Sequence, residues 1–213
     1  METVKLNTAS GIYLLVPKVK RMFDLKRIFR RDEVGSVARR FFINTLFDST
    51  FMLLGIIVGI AFSSGSNLNV IIVTMLTSSL ALGISTGVSV YEAESLEQER
   101  KILDLEKALF QDLSGTKIEK ESKSIVILTA LLNLCTPLLS CTIIIFPFTL
   151  VFLQILNMDL APWLSAILAL AMLFCAGVYL GKFGGKNPWI KGLRMVGFGL
   201  IAFIIGFFLN TLV

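Results

Sequence analysis

The most constraining feature of this chain is an apolar stretch at residues 41–63, FFINTLFDSTFMLLGIIVGIAFS, whose single ionisable side chain is Asp48. A transmembrane helix needs about 20 apolar residues to cross the hydrocarbon core of a bilayer, and this stretch is long enough. The whole chain is 55% hydrophobic and 16% charged, and its mean hydropathy is +0.80. These values are typical of a membrane protein and exclude a soluble globular domain.

Four more apolar runs follow, so we predict an all-α membrane protein with five transmembrane helices. The predicted spans cover about residues 41–63, 68–91, 124–154, 161–181 and 190–212. Residues 1–40 form a basic N-terminal segment, and residues 41–213 form the transmembrane domain.

The second predicted helix does not end with its apolar run. Residues 92–113 contain no glycine or proline and are rich in strong helix formers. We therefore predict that this helix extends from the membrane into the cytoplasm as one continuous element. The following stretch at residues 114–124, SGTKIEKESKS, is predicted to be a polar loop.

Lysine and arginine are distributed unevenly along the chain. Residues 41–99 and 124–181 contain none, ten precede the first span, six lie between the second and third spans, and four lie in or just after the fourth connection. Because basic loops stay on the cytoplasmic side, we predict a cytoplasmic N-terminus and an external C-terminus. The expected location is the plasma membrane.

The segment at residues 18–31, KVKRMFDLKRIFRR, alternates basic and apolar side chains. This composition suits a helix that lies on the membrane surface, with its lysines and arginines against anionic lipid headgroups. We therefore expect anionic lipid as a partner and no nucleic acid, although the chain carries a net charge of +5.

One face of the first predicted helix carries polar and small residues, because positions three or four apart share a helix face. This face, called the Asp48 face below, consists of Asn44, Asp48, Met52, Gly55 and Gly59. A carboxylate inside a transmembrane helix costs roughly 2.5–3.5 kcal/mol on insertion scales. Two interpretations follow: the face lines a cation pathway, or it packs against another helix while Asp48 pairs with a lysine near the headgroups.

Small residues also recur in both of the first two spans, where they let helix backbones approach closely in lipid. In the second span they are Ser79, Gly83 and Gly87, and helix packing is favoured there over ion access. In the first span, Gly55 and Gly59 predict self-association as a homodimer, since five helices alone enclose little room. Packing of that face within one subunit is the alternative.

Acidic residues cluster where the second helix leaves the membrane. Glu94 and Glu97 lie one helical turn apart and are candidates for collecting a hydrated divalent cation. The alternative is a solvated face in which Glu97 and Lys101 form an ordinary ion pair between positions i and i+4.

Two prolines, Pro137 and Pro147, interrupt the third apolar run. Proline in a transmembrane helix leaves a backbone carbonyl without its usual donor, and neighbours, water or ions must then satisfy it. The two interpretations are a kink beside a cavity and a purely structural kink.

The composition argues against an enzyme. The chain has no histidine, no evident nucleophile–base pair and no phosphate-binding glycine loop. Its cysteines, Cys135, Cys141 and Cys175, lie in apolar stretches without CxxC spacing, so neither a zinc site nor a disulfide framework is indicated. We expect no bound cofactor.

Several of these segments together resemble the vacuolar iron transporter family, which includes calcium-cross-complementing and nodulin-like members. The segment 181–206, GKFGGKNPWIKGLRMVGFGLIAFIIG, resembles the family's basic loop and last helix. Asp48 and Gly59 match an aspartate and a glycine of its first helix. The segment 135–140, CTPLLS, resembles its third helix, and the acidic run through Glu94 resembles the end of its second. The resemblance covers roughly residues 40–213.

The resemblance implies export of ferrous iron or manganese from the cytosol in exchange for protons, by a homodimer whose first helices line the path. Asp48 matches the pathway aspartate of the family. Met75 and Gly83 stand where the family has a glutamate and a methionine, and Ser49 replaces a glycine. The long metal-binding insert of plant members is also absent between the second and third spans.

These observations lead to one hypothesis and one alternative. The hypothesis is a transporter of Fe²⁺ or Mn²⁺ whose metal ligands are Asp48, Met52, Met75, Glu94 and Glu97. Oxygen ligands combined with a thioether fit iron or manganese better than calcium. The alternative is a membrane scaffold or assembly protein that transports nothing and uses Asp48 to hold helices together.

Overall fold

The computed structural model of the chain describes residues 32–62, 67–183 and 187–212, and every regular element in these ranges is helical. The helices are α1 (Asp32–Ile56), which continues as a π-helical turn (Ile57–Ala61), α2 (Leu68–Leu109), α3 (Lys117–Phe152), α4 (Ala161–Phe183) and α5 (Pro188–Leu212). The predicted surface helix at residues 18–31 lies outside the described residues.

All five helices are long and apolar enough to cross a membrane. The sequence-based prediction of an all-α protein with five such helices is therefore confirmed. The sidedness of the termini, the identity of the membrane and the homodimer remain predictions at this point.

The longest helix is α2, which runs without a break for 42 residues. At 1.5 Å per residue it is about 63 Å long, roughly twice the thickness of a hydrocarbon core. The side chain of Asn67 caps its start by accepting a 3.0 Å hydrogen bond from the backbone N–H of Asn69. The helix ends where Phe110 adopts the left-handed conformation, with φ of 53°. The helix is therefore longer than one span requires, and we call residues 92–109 the α2 extension.

The prediction of a polar loop over residues 114–124 was wrong, because α3 already begins at Lys117. The reason is local: the Glu119 carboxylate reaches back to accept a 2.6 Å hydrogen bond from the backbone N–H of Gly115. This contact satisfies a free donor at the start of the helix, as a capping-box glutamate does. Glu119 also pairs with Lys123 one turn later. Helix α1 also begins earlier than its predicted span: it starts at Asp32, within residues 1–40.

The core of the bundle lies around α1, which contacts each of the other four helices, and around α3, which contacts α1, α2 and α4. Its apolar centre brings together side chains from α1, α2 and α3. The fully buried members include Leu53, Leu54, Ile57, Ile71, Met75, Ile144 and Phe148. Met75 therefore lies inside the subunit.

Glycine allows α2 and α3 to lie in close contact. A Cβ atom at Gly83 would stand 2.6 Å from the backbone carbonyl oxygen of Leu134, and one at Gly87 would stand 3.0 Å from the Leu134 Cβ. Ser79 is fully buried in the same helix. Backbone contact of this kind is how small residues hold helices together in lipid.

Both Pro137 and Pro147 lie inside α3, which continues through them as one helix. Pro137 has no N–H, so the carbonyl of Asn133 loses its donor within the helix. The hydroxyl of Thr86 on α2 lies 3.3 Å from that carbonyl oxygen, and it also lies 2.8 Å from the carbonyl oxygen of Leu82 in its own helix. Thr86 is therefore the neighbouring side chain within reach of the carbonyl that the proline leaves free, and it shares its one proton with α2.

Candidate functional site

The Asp48 face points out of the subunit. Asn44, Asp48, Gly55 and Gly59 are exposed, and Met52 is partly buried. A Cβ atom at either glycine would meet nothing within 4 Å. The side-chain amide of Asn44 donates a 3.3 Å hydrogen bond to the Asp48 carboxylate. The face is therefore polar at its Asn44 and Asp48 end and bare of side chains at the two glycines.

The depth of Asp48 matters because a carboxylate is costly in lipid but not at the headgroups. Asp48 lies near the middle of the span-length segment Val37–Ala61 of α1. No ion pair joins it to a lysine or arginine within residues 32–62, 67–183 and 187–212. A carboxylate at this depth normally faces a protein partner or a water-filled space.

The neighbouring face of α1, about a quarter turn around the helix from the Asp48 face, carries a second polar set that the sequence analysis missed. The Thr45 hydroxyl donates a 2.6 Å hydrogen bond to the side-chain oxygen of Asn133, and the Ser49 hydroxyl lies 2.9 Å from that of Ser140. All four side chains are buried between α1 and α3. These two links fix the rotation of α1 about its axis, and that rotation turns Asp48 outward.

The π-helical turn at the far end of α1 has a specific partner on α5. The N–H of Phe62 bonds to the carbonyl of Ile57, which leaves the carbonyl of Val58 without the donor it would have in an α-helix. The side-chain amide of Asn210 donates a 3.0 Å hydrogen bond to Val58. In the sequence, the only signal for this contact is Asn210 itself, a lone polar amide within the apolar last helix.

The two candidate acids of the α2 extension have different surroundings. Glu94 is only 4% exposed and accepts a 2.8 Å hydrogen bond from Gln98, whose own side-chain oxygen accepts one of 2.7 Å from Ser122 on α3. Glu97 is exposed and lies 3.7 Å from Lys101, so the expected pair between positions i and i+4 is confirmed. Glu94 is thus buried within a hydrogen-bonded set that reaches α3, whereas Glu97 is exposed and paired with Lys101.

The connection after the α2 extension keeps its negative charge at neutral pH. Hydrogen bonds from the side chain and backbone of Ser114 hold the pKa of Asp112 below its usual value. The hydrogen bond from Lys123 likewise lowers the pKa of Glu119. The carboxylates of Asp112 and Glu119 are therefore favoured in their charged form by these hydrogen bonds.

A single subunit does not assemble the ligand set that the sequence suggested. Met75 is fully buried in the apolar core and cannot belong to the exposed Asp48 face. Among the described residues, no three aspartate, glutamate or cysteine side chains are grouped closely enough to hold a metal ion.

Comparison with known proteins gives a relative but no family. The chain is 25% identical over 179 residues to an uncharacterized protein of Methanocaldococcus jannaschii, and the match covers 83% of this chain and 90% of that protein. No family model matches the chain. No solved structure matches it either.

Proposed function

We propose that this protein is a homodimeric transporter that exports Fe²⁺ or Mn²⁺ from the cytosol in exchange for protons. The observation that carries the proposal is the outward-facing Asp48 within the span-length segment of α1, hydrogen-bonded to Asn44. In an isolated subunit this carboxylate would face lipid, which is unfavourable by several kcal/mol.

A second copy of the chain removes this cost. Gly55 and Gly59 leave the α1 backbone open, so two α1 helices can approach closely along their Asp48 faces. If the two subunits are related by a two-fold axis that runs between their α1 helices, the Asp48 of one subunit faces the Asp48 of the other. Two carboxylates and two Asn44 side chains then surround the space between the subunits.

This set of groups suits a divalent cation. Carboxylate and amide oxygens bind manganese and ferrous iron, and the partly buried Met52 offers a sulfur that disfavours calcium. Two carboxylates held close together away from water cannot both stay charged, so the pair holds a proton when no metal is bound. Arrival of the metal displaces that proton, which supplies exchange without histidine.

The distribution of charged residues supports export from the cytosol as the direction of transport. The positive-inside rule places the N-terminus and the α2 extension in the cytoplasm of a cell with this protein in its plasma membrane. Glu97 and the other acids of the α2 extension would raise the local cation concentration there. Glu94 would lie one helical turn closer to the membrane than Glu97. Basic side chains near the membrane would contact anionic headgroups.

Reconstitution tests the function directly. Purified protein in liposomes that contain a metal-sensitive dye is expected to take up Mn²⁺ and, without oxygen, Fe²⁺, faster than Ca²⁺ or Mg²⁺. Uptake should accelerate when the liposome interior is acidic, since protons leave as metal enters. If no divalent ion enters faster than in protein-free liposomes, the chain is not a metal transporter.

A further inference from the structure

A groove lies between the α2 extension and the start of α3, on the side that faces α1. We call it the Leu105 groove; its volume is about 190 Å³, and the side chains that matter below are Val37, Glu94, Leu105, Ile118 and Glu121. A second and larger groove, of about 540 Å³, lies on the other side of the same two helices and includes Leu103.

The Leu105 groove has apolar walls that nothing in the described residues covers completely. Leu105 is 43% exposed and Ile118 is 46% exposed. Both lie outside the predicted membrane spans, so lipid tails do not shield them. Apolar side chains grouped at a water-exposed groove usually mark a contact site.

The groove is also negatively charged. Glu94 and Glu121 line it against one base, Lys101. Residues 92–113 as a whole carry seven acidic and three basic side chains, a net charge of −4. Residues 18–31 carry seven basic and one acidic side chain, a net charge of +6, with apolar side chains interleaved. The two segments are complementary in both charge and apolar pattern.

The same chain holds these two segments close together. Helix α1 begins at Asp32, directly after the basic segment, and Val37 already lines the Leu105 groove. Asp32 and Val37 are about 8 Å apart along the helix axis. A short tether of this kind gives an effective concentration on the order of millimolar, so even a weak contact is populated.

We propose that residues 18–31 dock in the Leu105 groove of their own subunit. Apolar side chains such as Phe23 and Ile28 cover Leu105 and Ile118, and the lysines and arginines face Glu94 and Glu121. The docked segment would cover the buried Glu94 from the cytoplasm. This contact stands independently of the proposed transport function, because it depends only on the groove, the charges and the tether.

An anionic membrane surface attracts the same segment by the same charges. Binding of residues 18–31 to the groove can be distinguished from binding to the membrane, because only binding to the groove depends on particular side chains of α2 and α3. It also persists on a bilayer without net charge, where a lipid contact would be lost.

Trypsin cleavage tests the docking, since residues 18–31 contain seven lysines and arginines. The full chain is placed in nanodiscs of phosphatidylcholine, which has no net charge, and cleavage in this segment is followed by mass spectrometry. Leu105→Asp and Ile118→Asp should each speed cleavage about tenfold, the factor expected for loss of one buried leucine or isoleucine contact.

Leu103→Asp is the matched control, because Leu103 is similarly exposed but lines the opposite groove. It should leave the cleavage rate unchanged, and circular dichroism should show equal helix content in all variants. Equal rates in wild type, Leu105→Asp and Ile118→Asp would overturn the proposal. Protection that appears only when anionic lipid is added would assign the segment to the membrane and also overturn it.

Discussion

Asp48→Asn is expected to abolish metal transport while the protein still folds. The substitution keeps the shape of the side chain and its place beside Asn44, but removes the negative charge that would attract the metal and hold the exchanged proton. Loss of groups that only support a metal ligand costs 10–100-fold, so loss of the ligand charge should reduce uptake by about 100-fold or more. The measurement is the initial rate of Mn²⁺ uptake into proteoliposomes.

The control for this substitution is Asp159→Asn. Asp159 is an exposed carboxylate in the connection between α3 and α4, so its loss should leave uptake unchanged. If Asp48→Asn transports at the wild-type rate, Asp48 is not a ligand on the pathway. The alternative of a membrane scaffold, in which an asparagine can replace the aspartate between helices, would then be favoured.

Gly59→Leu is expected to separate the homodimer into monomers. A Cβ atom at Gly59 meets no atom within 4 Å in the isolated subunit, so the backbone there is open on the outside of the monomer. If this variant loses its dimer, the cause lies at the contact between subunits, where the leucine would force the two α1 backbones apart. Overpacking of this kind typically costs about 1–3 kcal/mol, which is about 5–150-fold in the dissociation constant of the dimer.

Sedimentation in detergent measures this change in mass, with Gly197→Leu as the control. A Cβ atom at Gly197, on α5, also meets nothing within 4 Å, so the two substitutions are equally mild within a subunit. Gly197→Leu should remain dimeric and Gly59→Leu should not. A wild-type protein that is monomeric under these conditions, or a Gly59→Leu variant that stays dimeric, would show that the Asp48 face is not the subunit contact.

The length and polarity of the apolar runs were enough to predict the five helices. A bilayer requires about 20 apolar residues in each span, and that requirement leaves few alternatives. Periodicity was enough to place Asn44, Asp48 and Gly59 on one face of α1. It could not say which way the face points, because that depends on contacts such as Thr45 with Asn133 that are distant in sequence.

Helix ends were predicted less well, for physical reasons that are visible in the chain. The high charge of residues 117–123 predicts a loop, but Glu119 within this segment caps and stabilises the start of a helix. The π-helical turn was not predicted, and the side chain that bonds to its Val58 carbonyl, Asn210, is 152 residues away in the sequence. Likewise, Met75 has the right chemistry for a metal ligand, and only packing shows that it lies in the core.

The central claim is that two Asp48 carboxylates from two subunits share one metal ion. The most direct test is equilibrium binding of Mn²⁺ to the purified protein, with the free ion measured by its electron paramagnetic resonance signal. The account predicts one tightly bound ion per two chains in the wild type and its loss in Asp48→Asn. One tight ion per chain, or tight binding that survives Asp48→Asn, would contradict it.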